Sequence, residues 1–163
     1  MTADPTSHSA PRPDGPDAEL PGGLRNLFLD RLKALLSQER SVLDELHEGT
    51  PASGRRRDLF QRLCGDARAL RGDGLAFGLP RVSEIGSAVE ALIAEYLSGD
   101  EERRARRART ATNGVIDALR VALRDLDAEV ERAETRAPAP AHPPECLPRL
   151  VEIRSTLTGE SAG

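Results

Sequence analysis

The stretch Arg68-Ala-Leu-Arg-Gly-Asp-Gly-Leu-Ala-Phe-Gly-Leu-Pro80 separates two segments with helical apolar periodicity, and it contains three glycines before its closing proline. Glycine weakens a helix and readily adopts the conformations that end one, whereas proline suits the first position of a new helix. The stretch therefore predicts a helix that ends against Gly72, Gly74 and Gly78, followed by a helix that opens at Pro80.

Four segments place apolar residues three or four positions apart, which is the period of an amphipathic helix. The first ends in the turn-rich residues 48–54, the second and third flank the glycine stretch, and the fourth opens with the acidic cluster 100–102, which suits a helix N-terminus. Short loops between four such helices predict an all-α fold, an antiparallel up-down-up-down four-helix bundle. The residues that we expect to be buried in it include Phe28, Leu63, Leu70, Val89, Leu119 and Leu126.

The ends of the chain differ in composition from this central region. Residues 1–23 are rich in Pro, Ser, Asp and Gly, so we expect a disordered N-terminal tail. The bundle is expected to span 24–136. Residues 137–163 begin with a proline-rich linker, and a short apolar segment follows that is compatible with either a helix or a strand. That segment is expected to dock either on the bundle or on a partner.

Composition narrows the class of protein. A chain of 163 residues with polar ends forms one domain, and 38% hydrophobic but only 2% aromatic residues predict an aliphatic helical core. The net charge of -4 gives no general attraction to nucleic acid. Two isolated cysteines and no apolar run of membrane-spanning length favour a soluble, cytoplasmic protein. No metal-ligand spacing, cofactor motif or catalytic set is present, so we expect no cofactor and no enzyme.

The glycine stretch resembles the phosphoacceptor signature of histidine phosphotransfer (Hpt) domains, which runs His-x-Leu-Lys-Gly-x-Ala with a further Gly a few residues on. Leu70, Gly72 and Gly78 match this pattern, Arg71 keeps the basic character of the Lys, and Gly74 keeps the small position. Val89-Glu90 with Leu92 is similar to the Leu-Glu element of the helix that follows the signature in these domains. The resemblance covers about residues 24–126.

One position departs from the signature. Arg68 stands where Hpt domains have the phosphorylated histidine, and a guanidinium has no free lone pair with which to accept a phosphoryl group. The resemblance thus implies a degenerate, non-phosphorylatable member that binds a response-regulator receiver domain or a histidine kinase as a competitor or scaffold in two-component phosphorelay signalling. We expect it to act as a monomer.

Helical spacing predicts which residues form the partner-binding face. One side of the second helix should carry Gln61, Cys64, Gly65, Arg68, Arg71 and Gly72, with Arg68 pointing outward. In Hpt domains the glycine at the position of Gly72 lets the receiver approach the acceptor. The residues that match the motif in a structural role are Leu70, Gly74, Gly78 and Glu90.

Two alternative functions remain open from the sequence. His47 lies in Leu46-His-Glu-Gly-Thr-Pro51, a segment with a faint likeness to the His-Glu-x-x-Thr-Pro box of histidine kinases, so an active phosphotransferase working through His47 is one alternative. A helical interaction module with an unrelated partner is the other. The basic runs 55–57 and 103–109 lack interleaved aromatic residues, and we expect them to be solvated helix faces that bind no nucleic acid.

Overall fold

A computed structural model describes residues 22–48, 52–98 and 109–158, and these residues form five α-helices and no strand. The helices are α1 (Gly22–Glu48), α2 (Ser53–Ala76), α3 (Pro80–Leu97), α4 (Arg109–Thr135) and α5 (Cys146–Thr158). The all-helical prediction is confirmed for this part of the chain. The predicted bundle had four helices, and in the described residues the apolar segment after the proline-rich stretch, left open as a helix or a strand, forms a fifth helix, α5.

The predicted disordered tail and the acidic cluster at 100–102 lie outside the described residues, except that α1 already begins at Gly22. In the same way, the basic run 103–109 is described only from Arg109 onward.

The connection between α2 and α3 is built as a glycine-terminated helix end. The amide of Leu79 donates to the carbonyl of Gly74 at 2.7 Å and that of Gly78 to Leu75 at 3.2 Å, while Gly78 has φ 68°. This pair of bonds around a left-handed residue is the Schellman arrangement, which glycine adopts without steric penalty. The helix runs through Gly72 and Gly74 to Ala76, so only Gly78 ends it. Pro80 opens α3 as predicted.

The core is continuous across all five helices and is almost entirely aliphatic. Phe28, Leu63, Leu70, Leu119 and Leu126 are buried as expected, whereas Val89 is only partly buried. Two ring contacts join consecutive parts of the chain: Phe28 of α1 stacks on Phe77, which follows α2, with centroids 4.2 Å apart, and Phe60 of α2 meets Tyr96 of α3 at 4.5 Å.

Contacts between neighbouring helices pair residues in reverse sequence order. Glu45 and Glu39 of α1 meet Arg55 and Arg62 of α2 respectively. Further along the chain, Arg81 near the start of α3 meets Glu129 near the end of α4, and Tyr96 near the end of α3 hydrogen-bonds Thr112 near the start of α4. The most extensive packing lies between α2 and α3.

α5 is attached to the body through both apolar and polar contacts. Cys146, Leu150 and Leu157 are buried, and α5 packs against α3 and α4. The backbone amide of Cys146 donates to the Asp125 carboxylate at 2.8 Å, so a side chain of α4 supplies the acceptor that a free helix N-terminus needs. The C-terminal segment therefore shares the core of the other four helices.

Candidate functional site

The two sides of α2 differ in burial as the periodicity predicted. Leu59, Phe60, Leu63, Ala67 and Leu70 are buried against the rest of the molecule. The opposite side, called the outer face of α2 below, consists of the six predicted residues Gln61, Cys64, Gly65, Arg68, Arg71 and Gly72. Cys64 is half-buried and the other five are exposed. The outer face is therefore open to a partner.

Arg68 lies at the centre of the outer face with 69% of its side chain exposed. Its Nε donates to Oε1 of Glu90 on α3 at 2.8 Å, and Nη1 of Arg71 lies 2.7 Å from Oε2 of the same carboxylate. Hydrogen bonding to Glu90 raises the pKa of the Arg68 guanidinium above its already high ordinary value. Two permanently positive side chains thus share one carboxylate, and the cluster keeps a net positive charge.

Glu90 is the residue that organises this cluster. Its side chain is only 13% exposed, so it sits below the two arginines and holds both of them on the surface. The resemblance gave Glu90 a structural role, and in the structure its carboxylate pairs with Arg68 and Arg71.

Gly65 and Gly72 leave the outer face flat beside Arg68. A Cβ atom built on either residue meets nothing within 4 Å. Internal packing therefore does not require a glycine at these positions, although each weakens the helix by about 0.5–1 kcal/mol relative to alanine. An external surface that approaches the backbone of α2 is a physical reason for a glycine at both.

Gly74 has a different role from Gly65 and Gly72. A Cβ at Gly74 would lie 2.6 Å from the amide nitrogen of Ser83, so only glycine fits against α3 there. Gly86 of α3 is equally restricted, because its Cβ would lie 2.8 Å from the carbonyl oxygen of Ala67. The hydroxyl of Ser83 also donates to the carbonyl of Arg71 at 2.7 Å. Sequence analysis missed Gly86 and Ser83, and their small size within an apolar helix was the available signal.

The surroundings of Cys64 do not favour its thiolate form. Burial raises the pKa of its thiol, and the Glu90 carboxylate adds to the rise while Arg68 opposes it. Reactive cysteines have a lowered pKa, so this one is better described as a small neutral side chain at the edge of the outer face.

A second charged cluster, which sequence analysis did not find, lies between α1 and α2. Glu39 has only 5% of its side chain exposed, and Arg62 Nη2 lies 3.5 Å from it. Arg62 also lies 3.7 Å from Asp66. Burial, with the neighbouring Asp66 carboxyl, raises the pKa of Glu39 to about 8. Glu39 lies three residues after the apolar Leu36 of α1, and this helical spacing was the only sign in the sequence that Glu39 would be buried.

The two histidines in the described ranges are not part of the outer face. His47 is exposed in the last turn of α1, where a helix C-terminus favours a positive charge. His142 is exposed in the connection before α5. In the parts of the chain that the structure describes, no group of three or more His, Cys, Asp or Glu side chains is arranged to hold a metal ion.

The same described ranges contain no helix with the length and apolar character that a bilayer crossing requires. Comparison with known proteins gave no match to a family model, a curated protein or a solved structure.

Proposed function

We propose that this chain is an Hpt-like signalling protein that cannot be phosphorylated at the acceptor position and that binds a response-regulator receiver domain in the cytoplasm. The observation that carries the proposal is the exposed Arg68 at the acceptor position of the motif, with Gly72 one turn further along the same open face. The protein would compete with, or act as a scaffold for, a phosphorelay and would transfer no phosphate itself.

The proposal includes the finer architecture, in which α1 to α4 form an antiparallel up-down-up-down bundle and α5 is an addition. The reverse order of contacts between α1 and α2 supports it, as does the same order between α3 and α4. An α2–α3 pair packed through Gly74 and Gly86 would set the position of Glu90 under the outer face.

Charge supports the choice of partner. By family resemblance, a receiver presents an acidic pocket around its phosphorylatable aspartate. Arg68 and Arg71 bring two guanidiniums against one internal carboxylate, so the outer face is complementary to such a pocket. The flat positions at Gly65 and Gly72 would let the acidic pocket come close enough for direct ion pairs.

Calorimetric titration with the receiver domains of the same organism tests the proposal. We expect one receiver to bind, Gly72→Leu to obstruct the contact, and Arg68→Glu to weaken it at least about tenfold through like-charge repulsion. Gly54→Leu and Arg57→Glu are matched controls, because both residues are exposed on α2 and lie at least about one helical turn before the outer face begins at Gln61. Circular dichroism checks that every variant stays helical.

Two results would contradict the proposal. Binding that survives Gly72→Leu and Arg68→Glu would remove the outer face from the interface, and absence of binding to any receiver would point to the helical module with an unrelated partner. Acid-labile phosphate that appears after incubation with a histidine kinase and disappears in His47→Ala would instead establish the phosphotransferase alternative.

A further inference from the structure

A groove of about 540 Å³ lies between α1, α4 and the first turn of α5. No residue that lines it belongs to α2 or α3, so it is separate from the outer face of α2. Its volume is within the range of small-molecule sites in proteins. Any ligand here would therefore leave the outer face accessible.

The lining of the groove is unusually basic for this protein. Arg40, Arg120, Arg124 and Arg149 line it together with only two aspartates, although the whole chain has a net charge of -4. The charge at this place is thus opposite in sign to that of the molecule, which favours an anionic ligand.

The four arginines fall into two pairs. Arg120 donates to Asp44 at 2.9 Å and Arg40 donates to Asp127, so these two guanidiniums are held in place across the α1–α4 boundary. Arg124 and Arg149 make no ion pair with any residue in the described ranges. Two guanidiniums from different helices are therefore available to a ligand, and each presents a planar fork of donors that matches phosphate oxygens.

The remaining lining residues have a different character. Val121 and Leu123, both half-buried, give the groove an apolar component between the charged groups. Asp117 lies two helical turns before Arg124 on α4, about 10 Å along the axis, and it also makes no ion pair with a described residue. A carboxylate at that distance repels phosphate but accepts hydrogen bonds from sugar hydroxyls.

We propose that this groove binds a nucleoside diphosphate. Arg124 and Arg149 contact the two phosphoryl groups, the apolar positions take the base, and Asp117 accepts from the ribose hydroxyls. The inference does not depend on the function proposed for the outer face, because the two regions share no residue.

Titration calorimetry of the full chain with ADP, GDP, pyrophosphate and adenosine tests this inference. We expect a nucleoside diphosphate to bind more tightly than pyrophosphate, and adenosine to bind least because it lacks the phosphoryl groups. The affinity should fall with salt, since guanidinium–phosphate contacts are screened. Arg124→Gln and Arg149→Gln should each weaken binding about tenfold or more, the usual effect of losing a charge-assisted hydrogen bond.

The matched control is Arg154→Gln, which removes the same charge from an exposed position of α5 that does not line the groove. It should leave the affinity unchanged. Equal losses in Arg154→Gln would overturn the site, because they would show general charge attraction. Failure of both nucleotides to bind at millimolar concentration would overturn the inference, as would pyrophosphate binding as well as ADP and GDP. Preference for a Glu-rich peptide over both nucleotides would overturn the ligand class.

Discussion

The glycines of α2 and α3 serve opposite purposes on the two sides of α2. At Gly74 and Gly86 the backbone of the facing helix lies where a Cβ atom would be, and at Gly65 and Gly72 the same position is empty. The first pair is required by the fold. The second pair has no internal reason, and this difference is what distinguishes a packing surface from a surface available to a partner.

The largest expected effect is at the packed pair. Gly86→Ala should lower the free energy of unfolding by about 2–3 kcal/mol, because its Cβ would lie within 3 Å of backbone atoms that cannot move independently. Urea unfolding followed by circular dichroism measures the change. An unchanged midpoint would mean that α2 and α3 separate easily, and the contrast between the two glycine pairs would then disappear.

The buried Glu39 on the α1 side of α2 should make the stability of the protein depend on pH. The pKa of Glu39 is raised from 4.5 to about 8, so the folded protein keeps a proton that the unfolded chain releases. The associated stability is present below pH 4.5 and is lost as the pH rises toward 8, with a slope of up to about 1.4 kcal/mol per pH unit.

Glu39→Gln should remove most of this slope, because the amide resembles a protonated carboxyl that never ionises. Unfolding midpoints measured at about pH 5, 7 and 9, a range over which Glu39 should lose its proton, give this slope. Glu48→Gln, at an exposed position of α1, is the control and should retain the slope of the parent. A parent protein whose stability rises over this window would contradict the buried, protonated Glu39.

Substitution of Glu90 should have a smaller effect, and it should lower the stability of the fold while raising the affinity for a receiver. Glu90→Gln should lower stability slightly, and by less in high salt, because it removes two ion pairs with exposed arginines. The same change frees Arg68 and Arg71 and should strengthen binding to an acidic receiver by up to about fivefold. Calorimetric titration at low and high salt measures the change in affinity, and unfolding at the same salt concentrations measures the change in stability. Weaker binding would mean that Glu90 orients the arginines more than it neutralises them.

The smallest expected effect is at the open pair, and it has the opposite sign to that of Gly86. Gly65→Ala should raise the free energy of unfolding by about 0.5–1 kcal/mol, since alanine favours a helix and its methyl group meets nothing. Thermal unfolding would show the gain as a higher Tm. A lower Tm would reveal a contact at the outer face that the open space does not suggest.

The sequence predicted most of the helices because their periodic apolar residues face one continuous core. The exposed position of Arg68 followed from the same periodicity. The sequence left the apolar segment of α5 open between a helix and a strand, because a contact that fixes it lies elsewhere in the chain. The Asp125 carboxylate of α4 accepts a hydrogen bond from the amide of Cys146 in the first turn of α5. The helix α2 continues past Gly72 because packing on α3 outweighs a weak local preference.

The candidate site was predictable only in outline. Spacing along α2 gave the residues of the outer face, but the shared carboxylate of Glu90 depends on how closely α3 approaches. That approach is set by Gly86 and Ser83, which no periodic pattern marks as important. The groove beside α5 could not be predicted from the sequence either, because its arginines come from three separate helices whose packing the sequence pattern does not give.

Because Cys146 is buried, the reactivity of its thiol should report how often α5 detaches from the other helices. This thiol is fully buried, and burial together with Asp125 raises its pKa far above the ordinary range. It should therefore lose its proton to solvent and react with an alkylating reagent only after α5 has detached. Cys64 is half-buried in the folded state and provides the internal reference for reagent reactivity. The ratio of the two alkylation rates therefore reports how often the C-terminal helix opens, without any label added to the chain.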